Sequence, residues 1–181
     1  MDSKQVVLSN EKSSDRKRSI SLSNDDAVPV NAKQARTGDG IVVLKSYVAE
    51  RKGERDEMQD AHILLDDCSS DYSQFVPLKA KRVAYYAVFD GHGGSKAASY
   101  ASKNLHVRLS EKLPCGSVTN FDKEFKRQLL ETFRIVDEEF LKEASQKQPV
   151  WKDGTTACCI LVLDDTAYIA NLGDSKAVLC R

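Results

Sequence analysis

With 181 residues, 41% of them hydrophobic and 30% charged, the chain is long enough for one domain with a sizeable core and a tail. Lysine plus arginine and aspartate plus glutamate both number 27, so the net charge is zero and gives no electrostatic case for nucleic acid or an anionic membrane as a partner. No apolar run approaches the roughly 20 residues of a membrane-spanning helix, and the first residues, MDSKQVVLSNEKSSDRKRS, lack the apolar core of a secretory signal.

Residues 1–40 are rich in Ser, Asn, Asp and Lys and show no sustained periodicity. Such a segment buries too little surface to offset its ordering entropy, which predicts a disordered tail. Within it, Arg16-Lys17-Arg18-Ser19 is a candidate nuclear-import patch, or a site for a basic-directed kinase at Ser19 or Ser21. The expected location is therefore the cytoplasm, with the nucleus open through that patch. Five cysteines, Cys68, Cys115, Cys158, Cys159 and Cys180, include no C-x-x-C pair and read as reduced thiols.

From residue 41 to 181 the pattern predicts a single folded region. Ile41–Ala49 is rich in β-branched and aromatic residues and reads as a strand, followed by a polar turn at Arg51-Lys52-Gly53-Glu54. Met58–Leu65 is a second strand candidate, and Arg82–Phe89 is apolar on both alternating faces, the pattern of a strand covered on both sides. In Ser95–Leu113 the residues Ala97, Ala101, Leu105, Leu109 and Leu113 recur every four positions, predicting a helix. A second helix is predicted over Phe121–Gln146, with Phe125, Leu129, Phe133, Val136, Phe140 and Ala144 in one stripe and Asn120 or Asp122 as its cap. Ala157–Leu163, Ala167–Asn171 and Lys176–Cys180 return to strands, with Asp164-Asp165 as a tight turn. Strands, helices and strands without regular alternation argue for the α+β class, an antiparallel-rich sheet with helices on a face. The sequence stops directly after a predicted strand, so the domain is expected to be incomplete at its C-terminus.

The sharpest chemical feature is Asp90-Gly91-His92-Gly93-Gly94, between the buried strand and the first helix. A carboxylate leaving an apolar strand is costly unless paired or metal-bound. Asp90 and the Gly91 carbonyl are oxygen donors of the kind Mg²⁺ or Mn²⁺ prefers. His92 lies one residue further, where an imidazole can give a proton to a leaving oxygen. Alone, the motif could equally be a turn and a hinge. The spacing of Gly91-His92-Gly93-Gly94-Ser95-Lys96 fits neither common nucleotide-phosphate loop.

Upstream, Arg55-Asp56-Glu57-Met58-Gln59-Asp60-Ala61-His62 places Asp60 and His62 on one face of an otherwise apolar strand, which suggests a site at its end. Arg55 could grip a phosphate through its planar fork, whereas His62 reads as a hydrogen-bonded core histidine. Downstream, Asp153-Gly154-Thr155-Thr156-Ala157 and Asn171-Leu172-Gly173-Asp174-Ser175 are, separately, turn signals beside strands.

In this order the motifs resemble those of the protein phosphatase 2C family of metal-dependent serine/threonine phosphatases. The likeness rests on YVAERKGERDEMQDAH, YYAVFDGHGG, WKDGTTA and AYIANLGDSKAVLCR. It implies an antiparallel β-sandwich flanked by helices, in αββα order. It also implies a binuclear Mg²⁺ or Mn²⁺ centre, with a weaker third ion in some members. Carried onto this sequence, Asp90 becomes the bridging metal ligand with the Gly91 carbonyl beside it, and Asp60 belongs to the metal-site shell. Asp174 falls at the third-ion position, Arg55 becomes the phosphate-binding arginine, and His92 the general acid. Phosphorylated proteins are the implied substrates and a kinase-containing signalling complex the implied partner, with no nucleic acid, no membrane and a monomeric chain.

Two departures stand out. Gln59 occupies a position where many members carry glutamate, and the family's later metal-binding aspartates have no counterpart here. The chain on its own is therefore expected to be weakly active or inactive. The alternative is a non-catalytic fragment or splice form that acts as a protein-binding module, binding partners or phosphoproteins without turnover.

Overall fold

The computed structural model describes residues 43–68, 80–113 and 121–180, together with the backbone of residues 2–7. Its elements in chain order are β1 (Asp2–Val7), β2 (Ala61–Leu65), β3 (Val83–Phe89), β4 (Gly91–His92), α1 (Lys96–Lys112), α2 (Phe121–Ser145), β5 (Gly154–Thr155), β6 (Ala157–Leu163) and β7 (Thr166–Leu172). Five strands form one sheet in the order β1-β7-β6-β3-β2. Its three inner pairings are antiparallel, and β1 lies parallel to β7. A second ladder, β4-β5, has two residues in each strand.

Period-two alternation decides which face carries the core. Val83, Tyr85 and Ala87 of β3 pair across to Leu163, Leu161 and Cys159 of β6, and these six and Phe89 are buried in the core shared with the helices. From α1, Leu105 and Leu109 enter this core, and from α2, Phe125, Leu129 and Val136. Ala97 and Ala98, both buried, let the start of α1 lie close to the sheet. Phe125 is 1% exposed, its ring 4.6 Å from that of Tyr168. Burying a side chain of this size contributes about 1.5–3 kcal/mol.

On the other face of the sheet Val88 is 46% exposed, and Leu64, Tyr86 and Ile160 are only half-buried. The apolar pattern of β3 predicts cover on both sides, and the second face is buried at Ala84 and at Cys158 and Val162 of β6 while it opens towards Tyr86 and Val88. The architecture is thus an α+β antiparallel-rich sheet with two helices on a face, and of a second sheet the described residues contain the β4-β5 ladder.

Two predicted strands are corrected. Residues 43–49 of the predicted strand Ile41–Ala49 are irregular, as is Lys176–Cys180, with Val178 87% exposed. β-Propensity needs a partner strand, and among the described residues neither segment has one. Asp2–Val7 pairs parallel with Thr166–Asn171 along the edge strand β7, and residues 8–42 lie outside the described residues. Asp122 is the second residue of α2 and accepts from the Tyr168 hydroxyl at 3.1 Å. Asn120 and Cys115 lie outside the described residues.

The tight turn at Asp164-Asp165 is present, with Asp164 at φ 51°. Its carboxylate accepts from the Lys81 and Arg82 backbone N–H groups at 2.7 and 3.1 Å, fastening the start of β3 to the β6-β7 turn. Cys158 and Cys159 face opposite sides of β6, as adjacent strand positions must.

Candidate active site

The site lies where β3 ends, and its parts are brought there by backbone geometry. Gly91 follows Asp90 directly, and a Cβ on it would overlap the Gln59 carbonyl oxygen. Only glycine therefore lets the 55–60 segment close against the end of β3. That approach builds a cleft lined by Arg51, Arg55, Gln59, Asp60, Asp90 and Gly91. Two distant motifs of the sequence thus share one hollow.

The third motif fastens the second. The Thr156 backbone N–H donates to the Asp90 carbonyl at 2.9 Å, and the Asp90 N–H donates to Thr156 Oγ1 at 3.1 Å. The Thr155 hydroxyl lies 3.2 Å from the same Asp90 carbonyl oxygen. These bonds fix the backbone of Asp90 on both sides of its Cα. Thr156 also reaches the fourth motif, with its Oγ1 2.6 Å from Ser175 Oγ. Asn171 Nδ2 donates to the Gly173 carbonyl at 3.0 Å and closes the turn that carries Asp174.

Asp153 does not face the cleft. Its Oδ2 accepts from the Lys96 backbone N–H at 2.7 Å, the first of α1, whose own N-cap residue Ser95 makes no side-chain capping bond. Gly94, at φ 140°, leaves room for that carboxylate, which a Cβ there would overlap. The Asp-Gly-Thr-Thr motif is therefore a brace. Sequence reasoning missed this role, because the bonds cross more than fifty positions of the chain. The available signal was a pair of adjacent threonine hydroxyls at the mouth of an apolar strand.

The electrostatics tie all the candidates together. Partial burial is the largest influence lifting the Asp90 carboxyl above its ordinary range. The Asp60 and Asp174 carboxylates push it the same way, while His92 and Arg55 pull it back. Asp60, Asp174, His92 and Arg55 thus all lie within electrostatic reach of Asp90. His92 is exposed, and its ring lies against Gly154 across the β4-β5 ladder. His62 lines the adjoining hollow with Asp60 and Asp90 and bonds Glu50, Nδ1 to Oε1, at 2.6 Å. Gln59 Nε2 donates to Glu57 Oε1 at 2.9 Å.

Asp60, Asp90, Asp174 and the Gly91 carbonyl are hard oxygen donors, which suit Mg²⁺ or Mn²⁺. Among the described residues, however, no three His, Cys, Asp or Glu side chains converge closely enough to hold an ion. The donor chemistry fits a hard cation, and the donor count fits only part of its shell. Thiol chemistry is disfavoured here. Burial pushes the Cys159 thiol up to about 12 and raises Cys158 as well, the opposite of what a nucleophile requires.

The family model described as "Protein phosphatase 2C" matches residues 45–181. A human integrin-linked kinase-associated serine/threonine phosphatase 2C is 50% identical over 177 residues, covering 98% of this chain and 45% of the relative. A probable protein phosphatase 2C 8 of Arabidopsis thaliana is 40% identical over 140 residues, 77% of this chain and 37% of the relative. Among solved structures, a bacterial serine phosphatase superposes with a TM-score of 0.49 at 21% identity, over 67% of this chain and 44% of that one. The chain spans less than half the length of these curated relatives.

Proposed function

The chain belongs to the protein phosphatase 2C family, and on that premise we propose that it forms the phosphoryl-gripping and proton-donating part of a metal-dependent protein serine/threonine phosphatase. The observation that carries this reading is the cleft in which Arg55 and Asp60 meet Asp90 and Gly91, closed by the approach of the Gln59 carbonyl to Gly91.

Each residue has work suited to its chemistry. Arg55 lines the cleft and makes no hydrogen bond among the described residues, so its fork is free to hold two phosphoryl oxygens. Asp90, the Gly91 carbonyl and Asp60 offer oxygens to Mg²⁺ or Mn²⁺, with Asp174 as an outlying donor. A bound ion would supply charge neutralisation and an acidified water. His92, braced against Gly154, is the proton donor to the departing serine or threonine oxygen. Thr155 and Thr156 hold the Asp90 backbone while this happens.

The proposed substrates are phosphorylated proteins. The name of the human relative supports a complex containing integrin-linked kinase as a proposed partner. The incomplete donor set favours a second reading, in which the chain binds phosphoproteins without turnover.

The test is hydrolysis of a phosphothreonine peptide by this chain with Mn²⁺ or with chelator. Phosphate release is expected to be slow, Mn²⁺-dependent and absent in Asp90→Ala. His92→Ala should reduce it by about 10²-fold, the lower end for a lost general acid. Release that ignores both chelator and Asp90→Ala contradicts the reading. Peptide binding without turnover by a folded chain favours the binding-only form.

A further inference from the structure

The turn that carries Arg55 holds two more cations at the cleft. Arg51 and Lys52 line the same hollow as Arg55, Asp60 and Asp90. Lys52 is committed to the turn, because its Nζ donates to the Asp56 carbonyl at 3.3 Å across Gly53, which sits at φ 65°. Arg51 is exposed and makes no hydrogen bond or ion pair among the described residues. Its neighbour Glu50 is already taken by His62.

Position separates Arg51 from Arg55. Both line the first hollow, but Arg51 also lines an adjoining one that shares Asp60 and Asp90 and includes Ser175. A phosphoryl group held by Arg55 would leave the Arg51 fork facing whatever flanks it on a bound peptide. A guanidinium presents paired donors that match a carboxylate or a phosphoryl group, and a lysine cannot offer that match.

We propose that Arg51 is a specificity-determining residue that binds a second anionic group, carboxylate or phosphoryl, carried by the peptide beside the phosphorylated residue. This rests on reading the cleft as a phosphoryl site.

The experiment is a fluorescence-anisotropy titration of the full 181-residue chain in Mn²⁺ at low salt. Three peptides of equal length carry phosphothreonine with neutral flanks, with flanking aspartates, or with a second phosphoserine. The wild-type chain is expected to favour an anionic flank by about ten-fold, the effect of one charge-assisted hydrogen-bonded contact. Arg51→Ala should bring the anionic-flank peptides down to the neutral-flank affinity, whereas Arg55→Ala should weaken all three. Preference for both anionic flanks identifies a carboxylate as sufficient, and preference for the doubly phosphorylated peptide alone identifies a phosphoryl group. Arg55-dependent binding with no flank preference, or a preference that survives Arg51→Ala, overturns the subsite and leaves the phosphoryl reading standing. A folded wild-type chain that binds none of the peptides overturns both.

Discussion

Asp90 is the residue on which the account turns, and its own electrostatics give a test. Burial first, then Asp60 and Asp174, raise its folded-state pKa above the ordinary 3.8. A carboxyl with a raised pKa binds its proton more tightly folded than unfolded, so stability falls as pH rises through that interval and stays low above it. Removing the charge should therefore stabilise the chain at neutral pH when no cation is present. In chelator at pH 7, Asp90→Asn is expected to melt at a higher temperature than wild type. The gap should close as pH falls below 3.8, where the wild-type carboxyl is protonated in both states. A lower melting temperature, or a gap unchanged with pH, contradicts this. A residue that costs stability and sits at the centre of a motif cluster is what a functional site predicts. Arg55, Asp60, Asp90, Gly91, His92 and Asp174 were nameable as candidates from their motifs and the family resemblance. Their meeting was not legible from periodicity, since it depends on Gly91 admitting the Gln59 carbonyl.

At the scale of elements, the site is held by pieces that look incidental in the sequence. Helix α1 starts without a side-chain cap of its own and borrows the Asp153 carboxylate from the segment before β5. Asp153→Ala is expected to cost about 0.5–2 kcal/mol, the usual loss for a capping side chain. Asp153→Asn should recover most of it, as judged by the urea midpoint with the slope unchanged. A loss confined to activity, with no change in the midpoint, would show that Asp153 is not a cap. Helices and inner strands were legible within a residue or two, because their apolar periodicity is dictated by one shared core. Ile41–Ala49 and Lys176–Cys180 were misread because strand propensity measures fit to a pleated surface, and the described residues provide those segments with none.

For the molecule as a whole, the helices seal one face of the sheet and the candidate site opens at the end of β3, where loops from four motifs converge. The other face keeps Val88 46% exposed, with half-buried Leu64, Tyr86 and Ile160 around it. The sequence RVAYYAVF predicts cover on both sides, and that cover reaches Ala84 but stops short of Val88. The same partial match applies to function. Donor chemistry is present in this chain, but ligand count is a property of the full coordination shell, and the chain spans 45% of its human relative. The central proposal, that Asp90 and its neighbours supply part of a cation's oxygen shell, is tested most directly by titrating the chain with Mn²⁺ and following the free-ion signal by electron paramagnetic resonance. The account predicts saturable binding by the wild-type chain, loss of that binding in Asp90→Ala and weakening in Asp174→Ala. No binding by the folded wild-type chain, or equal binding by Asp90→Ala, would contradict it.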